Sequence, residues 1–522
     1  MRSSGTLFFL LWCGLFSVAV VRGQEEEAGE DAQEADAVLQ LGEGNNSNDT
    51  AVAGVIFRDN LYVVSTTEGS LEETSAGGVD FTINVYDEEL DPGVAAQYGG
   101  DGDDYVTAIA GDFSVGVDLV VVGGTRSEEE HLFGLETPTG EEDWFIATID
   151  QATLETVLTY VNGTLENDQR ATAVVIAEDG YVVAGFTWGE YFEENAGADN
   201  DEDSVGYDAW VLKIDFDLNP DFLWSIQFGT IAYDVPSALV LDDDGDVYVV
   251  GTTTDSSNIV SADDEDVIQS MFVYKLDGDD GVIIWTATDE LGVLSDMSQA
   301  HGAVLSEDGD ELYVSGNTQG VIPGYDGDST DTDELFLLGL SEDDGTVNWV
   351  YQSENNAAAF GTGGVVLADD GSPIIAGIAF GNQFNLTFTY WEGGSGDMIA
   401  AKIDIEELEV VKYYNAAAAS NLTREDALAM VKDPDVTDGV FLIGEENGDF
   451  EDEDVEPDDL SILILKVQLE TIPEVEEVDD GEFDYPYFQT LGIFAGGGLV
   501  FYIAYKWAAY SKAASASKGV QV

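Results

Sequence analysis

Residues 237–251 read SALVLDDDGDVYVVG, two β-rich apolar runs around Asp244-Gly245, a pair suited to a tight reversal, so a hairpin is predicted here. The second run closes on Gly251. The same close recurs as LVVVG at Gly123, YVVAG at Gly185, LYVSG at Gly316, PIIAG at Gly377 and VFLIG at Gly444, with LYVVS at Ser65 as a seventh copy. Successive anchors lie 58, 62, 66, 65, 61 and 67 residues apart. Such a period is longer than that of most solenoid repeats and fits one four-stranded β-propeller blade with its loops.

Each unit divides into four strands. AVVIAEDGYVVAG and GAVLSEDGDELYVSG repeat the hairpin with Asp179-Gly180 and Asp308-Gly309. A third strand of alternating character follows (DAWVLKID, MFVYKLD, DWFIATID, DMIAAKID, SILILKVQ), then a fourth that often carries an aromatic residue (FLWSIQFGT, VIIWTAT, TVNWVYQ). The seventh unit lacks its fourth strand. AVLQLGEG, residues 37–44, resembles LWSIQFGT and is predicted to complete that blade, which would close the ring and remove open sheet edges. The fold class expected is all-β, a seven-bladed β-propeller closed by an N-terminal strand, plus one C-terminal transmembrane helix.

VYKLDGDDGVIIW and YDVPSALVLDDDGDVYVVGTT resemble the SBBP-type propeller repeat, whose pattern is a KLD..G...W strand pair followed by D.A.AI..D..GN.YV.G.T. The resemblance extends over residues 37–477 and implies the propeller fold. It is nearly silent on activity, because these positions serve packing and turns. The chain departs from the pattern in lacking the fourth-strand Trp in several blades and in its excess of acids.

Residues 1–23 carry Arg2, an apolar stretch and small residues, the pattern of a secretory signal peptide. The one cysteine, Cys13, lies inside it. An acidic leader is read at 24–36, the propeller at 37–477 and an acidic stalk at 478–486. The uncharged stretch 487–505 is long enough to span a bilayer, and the tail 506–522 has Lys506, Lys512 and Lys518 with no acid. Together these features predict a type I single-pass protein of the plasma membrane or an endomembrane, with its propeller extracellular or lumenal. Gly492 and Gly496 have the spacing of a helix-dimerisation motif, which three successive glycines also produce by composition.

All 107 acids lie between the signal and the span, with ten basic residues among them, leaving the ectodomain at about −97. Nucleic acid and anionic lipid are thereby excluded as partners, since both need basic surface. An extracellular protein or glycan remains, as do cations. Asp242, Asp244 and Asp246 place carboxylates in one loop as Ca²⁺ prefers, although the Asp-Gly hairpin alone explains them equally well. Asn45, Asn48, Asn162, Asn385 and Asn421 are N-glycosylation sequons.

Catalysis finds little support. The histidines are His131 and His301, the mature chain has no cysteine, and no hydrolase, zinc or phosphate-loop motif is present. A carboxylate pair at the channel mouth would suit a glycan-active hydrolase, but 107 candidate acids make proximity uninformative. Lys213, Lys275, Lys402 and Lys466 recur at one third-strand position and read as structural partners of nearby Asp. Asp104, Asp168, Asp234, Asp296 and Asp426 recur just before the innermost strand. They are expected either to ring the channel mouth as a ligand or cation site or to cap loops within their own blades. The function expected is adhesion or recognition by the acidic propeller, with the membrane-anchored hydrolase as the alternative.

Overall fold

The computed structural model describes residues 19–20, 37–41, 49–69, 77–111, 119–127, 132–134, 142–164, 167–192, 206–230, 233–254, 270–287, 298–325, 327, 333–353, 359–379, 397–415, 425–447 and 460–471. They form seven antiparallel sheets: blade 1 (49–98), blade 2 (104–162), blade 3 (169–228), blade 4 (233–286), blade 5 (298–352), blade 6 (359–415) and blade 7 (425–468). First strands of successive blades touch, and Glu425–Lys432 of blade 7 touches Asp49–Phe57 of blade 1. The protein is therefore a closed seven-bladed propeller. Ala37–Leu41 pairs with Leu460–Gln468, Ala37 opposite Lys466, and completes blade 7 as the sequence predicts. Two short additions extend outer edges: Ala19–Val20 pairs with the closing strand, and Glu470–Thr471 pairs with the outer strand of blade 6.

The third strands correct one expectation. Instead of alternating, Asp80–Tyr86 and Asp143–Ile149 are buried at every position. Each blade packs against a neighbour on both sides, so a mid-blade strand has no solvent face. Every first strand also carries a β-bulge at one place, such as Val106/Ala108, Ala171/Ala173 and Pro236/Ala238. In some blades the residue squeezed out is polar and bonds the second strand: Thr107 donates to the Val122 carbonyl at 3.1 Å and Ser237 to that of Val250 at 3.2 Å, whereas Val52 and Leu428 hold the place in blades 1 and 7. His301 occupies the same position in blade 5 and bonds Asn317 at 2.7 Å. Burial holds its imidazole below the usual range, against the Asn317 bond.

Turns between third and fourth strands meet the fourth-strand Trp of the preceding blade at two places. A left-handed residue is needed there, Gly281 (φ 74°) in blade 4 and Gly345 (φ 71°) in blade 5. A Cβ on Gly281 would come 2.6 Å from the Trp224 ring of blade 3, and one on Gly345 2.6 Å from Trp285 of blade 4. Blades 2 and 3 follow blades without that Trp and place Leu154 and Leu218 at the left-handed position. Both side chains are buried, and their burial offsets the backbone strain. Gly thus follows Trp at blades 4 and 5, whereas blade 6 follows Trp349 of blade 5 with Leu408 (φ 54°), which is exposed.

Two of the three Asp-Gly hairpins have the expected glycine conformation, Gly245 at φ 86° and Gly309 at φ 78°. The third does not. Gly180 is the first residue of its strand, and a Cβ there would collide with the Ile214 carbonyl, so close approach rather than turn geometry requires glycine. Among the described residues no helix is long and apolar enough to cross a membrane. The predicted span, with Gly492 and Gly496, lies outside them.

Candidate functional site

The two faces of the ring differ in their connections. One carries the tight first-to-second and third-to-fourth turns and is called the hairpin face. The other carries the longer links from second to third strands, such as Thr187 to Asp208, and the passage between blades. It is called the loop face.

Loop-face acids begin first and third strands and are buried. Asp104 accepts from Thr125 at 2.5 Å, Gly100 N–H at 2.6 Å and Ser127 at 2.9 Å. Asp234 accepts from the Thr230 N–H at 2.6 Å and hydroxyl at 3.1 Å and bonds Thr253. Thr125 and Thr253 each lie two residues past the anchor glycine, which gives that threonine its place in the repeat pattern. Burial raises Asp104 to about 6 despite these bonds, and raises Asp234 as well.

On the third strands, Gln97 donates to Asp80 at 2.7 Å, Gln227 to Asp208 at 2.9 Å and Gln352 to Glu334 at 2.5 Å. Blade 2 departs from this pattern in its outer strand, where Val161 stands opposite Phe145 as Gln227 stands opposite Trp210. Asp143 has a buried Oδ1 without a hydrogen-bond partner among the described residues, and burial, then the charges of Asp168 and Glu142, push it to about 7. A Cβ on Gly163 would overlap that oxygen, so only glycine lets the outer strand end there.

Around Asp143 stands the cluster that the sequence reading missed. Both Arg126, through Nε and Nη2 at 3.1 and 2.8 Å, and Arg170, through Nε and through Nη2 at 2.9 Å, grip the Glu142 carboxylate. The Glu142 side chain is 4% exposed, Arg126 42%. Arg170 lies over the Tyr105 ring, 4.7 Å from its centroid. Asp168 acts electrostatically on Arg126, Asp143 and Tyr207, and its carbonyl accepts from the Trp188 N–H at 2.9 Å. Tyr207 then joins Phe186 at 4.8 Å, Trp188 at 5.1 Å and Tyr233 at 5.1 Å. Trp188 and Tyr233 are 42% and 46% exposed. Gly189 at φ 122° turns the chain beyond Trp188, and its carbonyl accepts from Gln227 at 3.0 Å, fixing the turn to blade 3.

The structure thus treats the five predicted loop acids unequally. Asp104 and Asp234 are spent on their own loops, whereas Asp168 joins the cluster. Asp168 is also out of register, since Gln169 rather than Asp168 faces Thr187 as Asp104 faces Thr125. Asp49, which faces Thr67 and is buried, shares the Asp104 position and was not singled out from sequence. Asp296 lies outside the described residues. So does the side chain of Asp426, whose backbone pairs with Glu445.

At the proposed calcium loop, Asp242 Oδ1 accepts from the N–H groups of Asp244 and Asp246 at 3.0 and 2.8 Å. Lys275 meets Asp242 at 3.1 Å and Asp246 at 3.5 Å, together with Glu342 of the next blade. The other recurring lysines do likewise: Lys213 with Asp179 at 2.6 Å, Lys402 with Asp370 and Asp438 at 2.7 Å each, and Lys466 with Asp433 at 3.1 Å. Among the described residues no group of three or more His, Cys, Asp or Glu is arranged to hold a metal. Asn162 is half-buried at the end of its strand and bonds Tyr191. Asn45, Asn48, Asn385 and Asn421 lie outside the described residues.

Residues 223–257, from the outer strand of blade 3 through the first hairpin of blade 4, match the family of the SBBP beta-propeller repeat. The protein is a seven-bladed propeller with one stretch that matches this repeat. No curated protein matches the chain. Similar solved structures include the full extracellular region of plexin A4 (9% identity, TM-score 0.43, covering 82% of this chain and 50% of that one). Another is the β-propeller domain of the Trilobed protease from Pyrococcus furiosus (10%, TM-score 0.39, 82% and 99%). A third is a puromycin-hydrolysing peptidase from Mycobacterium tuberculosis (10%, TM-score 0.38, 81% of this chain). This chain spans 53% of that peptidase.

Proposed function

We propose that this seven-bladed propeller is the recognition domain of a type I single-pass glycoprotein, presented at the cell surface or in an endomembrane lumen. Its loop face around blades 2 to 4 meets the ligand in adhesion or recognition. The observation that carries this reading is the joining of exposed aromatic rings to two fixed guanidinium groups on one face of a strongly acidic domain. Guanidinium pairs held by a buried carboxylate lose little freedom on binding, which favours affinity. Binding without turnover is the fitting chemistry. Asp143, whose protonation range would suit a proton donor, is 2% exposed and out of reach of substrate.

The ligand classes are an extracellular protein, a glycan or a divalent cation such as Ca²⁺. Anchoring would come from 487–505, with helix pairing through Gly492 and Gly496. The test is saturable binding of full-length protein, in detergent, to extracellular glycans and proteins, with Arg126→Ala and Trp188→Ala as variants. Both should weaken binding. A ligand that binds equally to both variants contradicts the placement of the site. Thermal unfolding in EDTA, Ca²⁺ and Mg²⁺ at matched ionic strength tests the cation role. A Ca²⁺-selective rise of the midpoint supports specific sites, whereas equal shifts assign the acids to bulk charge.

A further inference from the structure

We propose that the loop-face cluster of Arg126, Arg170, Asp168, Trp188, Tyr207 and Tyr233 is a binding site for an uncharged saccharide. This assignment rests on the recognition reading above and narrows it to one ligand class.

Three features of the cluster select that ligand. Its walls are aromatic and meet at a corner: the Trp188 and Tyr207 planes stand at 86° with centroids 5.1 Å apart, and Tyr233 follows at 52°. An exposed indole face offers a platform for the C–H face of a pyranose ring, and the ring across the corner limits how the sugar can turn. The floor supplies donors beside acceptors. Arg126 and Arg170 spend Nε and Nη2 on Glu142, leaving each Nη1 with its two N–H groups as a fixed donor. Asp168, half-buried, brings carboxylate oxygens next to them. Neighbouring hydroxyls on a sugar both donate and accept, which is the pattern such a floor presents.

Charge decides between sugar classes. Two guanidinium groups stand against the carboxylates of Glu142 and Asp168, with Asp143 beside them. The cluster has no positive excess with which to hold an anion. The surrounding ectodomain, 107 acids against ten basic residues, repels polyanions. An uncharged ligand escapes that repulsion and uses the aromatic and hydrogen-bonding surface in full. Trp188 and its turn are also fixed before binding, through the bonds to the Asp168 carbonyl and from Gln227 to Gly189, so little ordering remains for the ligand to impose.

The experiment measures binding of cellohexaose, maltohexaose and mannohexaose to full-length protein in detergent, by calorimetry, with hexagalacturonate and polyglutamate as anionic probes. Trp188→Ala and Tyr233→Ala are compared with wild type, and Trp188→Phe retains a ring in case the alanine variant unfolds. The expected result is saturable binding of at least one neutral hexasaccharide, weakened about tenfold or more by either alanine change and less by Trp188→Phe. That affinity should vary little between low and high salt, since the ligand carries no charge. Absence of binding by all three neutral sugars at millimolar concentration overturns the inference. So does neutral-sugar binding that Trp188→Ala leaves unchanged. Binding of hexagalacturonate or polyglutamate alone also overturns it, while leaving the broader recognition reading intact.

Discussion

The same strands end in opposite electrostatic surroundings on the two faces of this ring. On the hairpin face carboxylates are held ionised. The side chain of Asn219 and turn N–H groups lower Asp215, turn N–H and hydroxyl groups lower Asp150 and Asp344, and the Ser306 hydroxyl lowers Asp308. Lys402 outweighs burial at Asp370, as Lys402 and Lys412 do at Asp438. On the loop face Asp104, Asp143 and Asp234 are raised by burial and face hydroxyls, glycine backbone or other acids instead of lysine. An acid-rich composition therefore builds two different devices. One staples neighbouring blades. The other leaves a loop face where scarce guanidinium groups and exposed aromatics stand out.

The largest effect should come from removing a staple. Lys275→Met strands Asp242, Asp246 and Glu342 around a nearly buried position and should cost about 3 kcal/mol in urea unfolding. Gly281→Leu should cost about 2 kcal/mol through strain and collision with Trp224. Adding Trp224→Ala should return part of that loss if the Trp224 ring is what excludes a side chain at Gly281. A cost unchanged by the second substitution would break that account.

The pH dependence follows from the signs of the shifts. Loop-face acids have raised folded values, so their favourable contribution is complete below about 4 and is lost as pH rises through about 6 to 7. Hairpin-face acids are lowered, so theirs is present above about 4 and lost as pH falls below it. The thermal midpoint should peak near pH 5, measured by scanning fluorimetry. The smallest effect on stability is expected for Trp188→Ala, about 1 kcal/mol from the lost edge-on contact with Tyr207, although it should be among the largest on ligand binding.

Much of the ring was legible because its signals are local and repeated. Anchor glycines, Asp-Gly turns and the lysine at one third-strand position recur at fixed offsets, and the orphan strand at residue 37 could be matched by likeness to its counterparts. Burial of whole third strands was not legible, because period-2 reasoning assumes one wet face. The candidate site was harder still. Arg126, Glu142, Arg170, Trp188 and Tyr207 come from separate strand ends and meet only when blades 2 and 3 are side by side. The rarity of arginine in an acidic ectodomain was the one signal that could have pointed to them. Asp168 was found for a reason the register does not support, since it is Gln169 that stands opposite Thr187.

The division between faces is tested most directly by Asp143→Asn. Thermal unfolding of variant and wild-type full-length protein should be compared at pH 5 and pH 8, at constant ionic strength. The account predicts little change at pH 5 and a stabilisation on the order of 1 kcal/mol at pH 8, where the wild type must hold a buried carboxylate whose Oδ1 has no donor among the described residues. Equal effects at both pH values, or a loss at pH 8, would contradict it and place the pH response in the bulk surface charge.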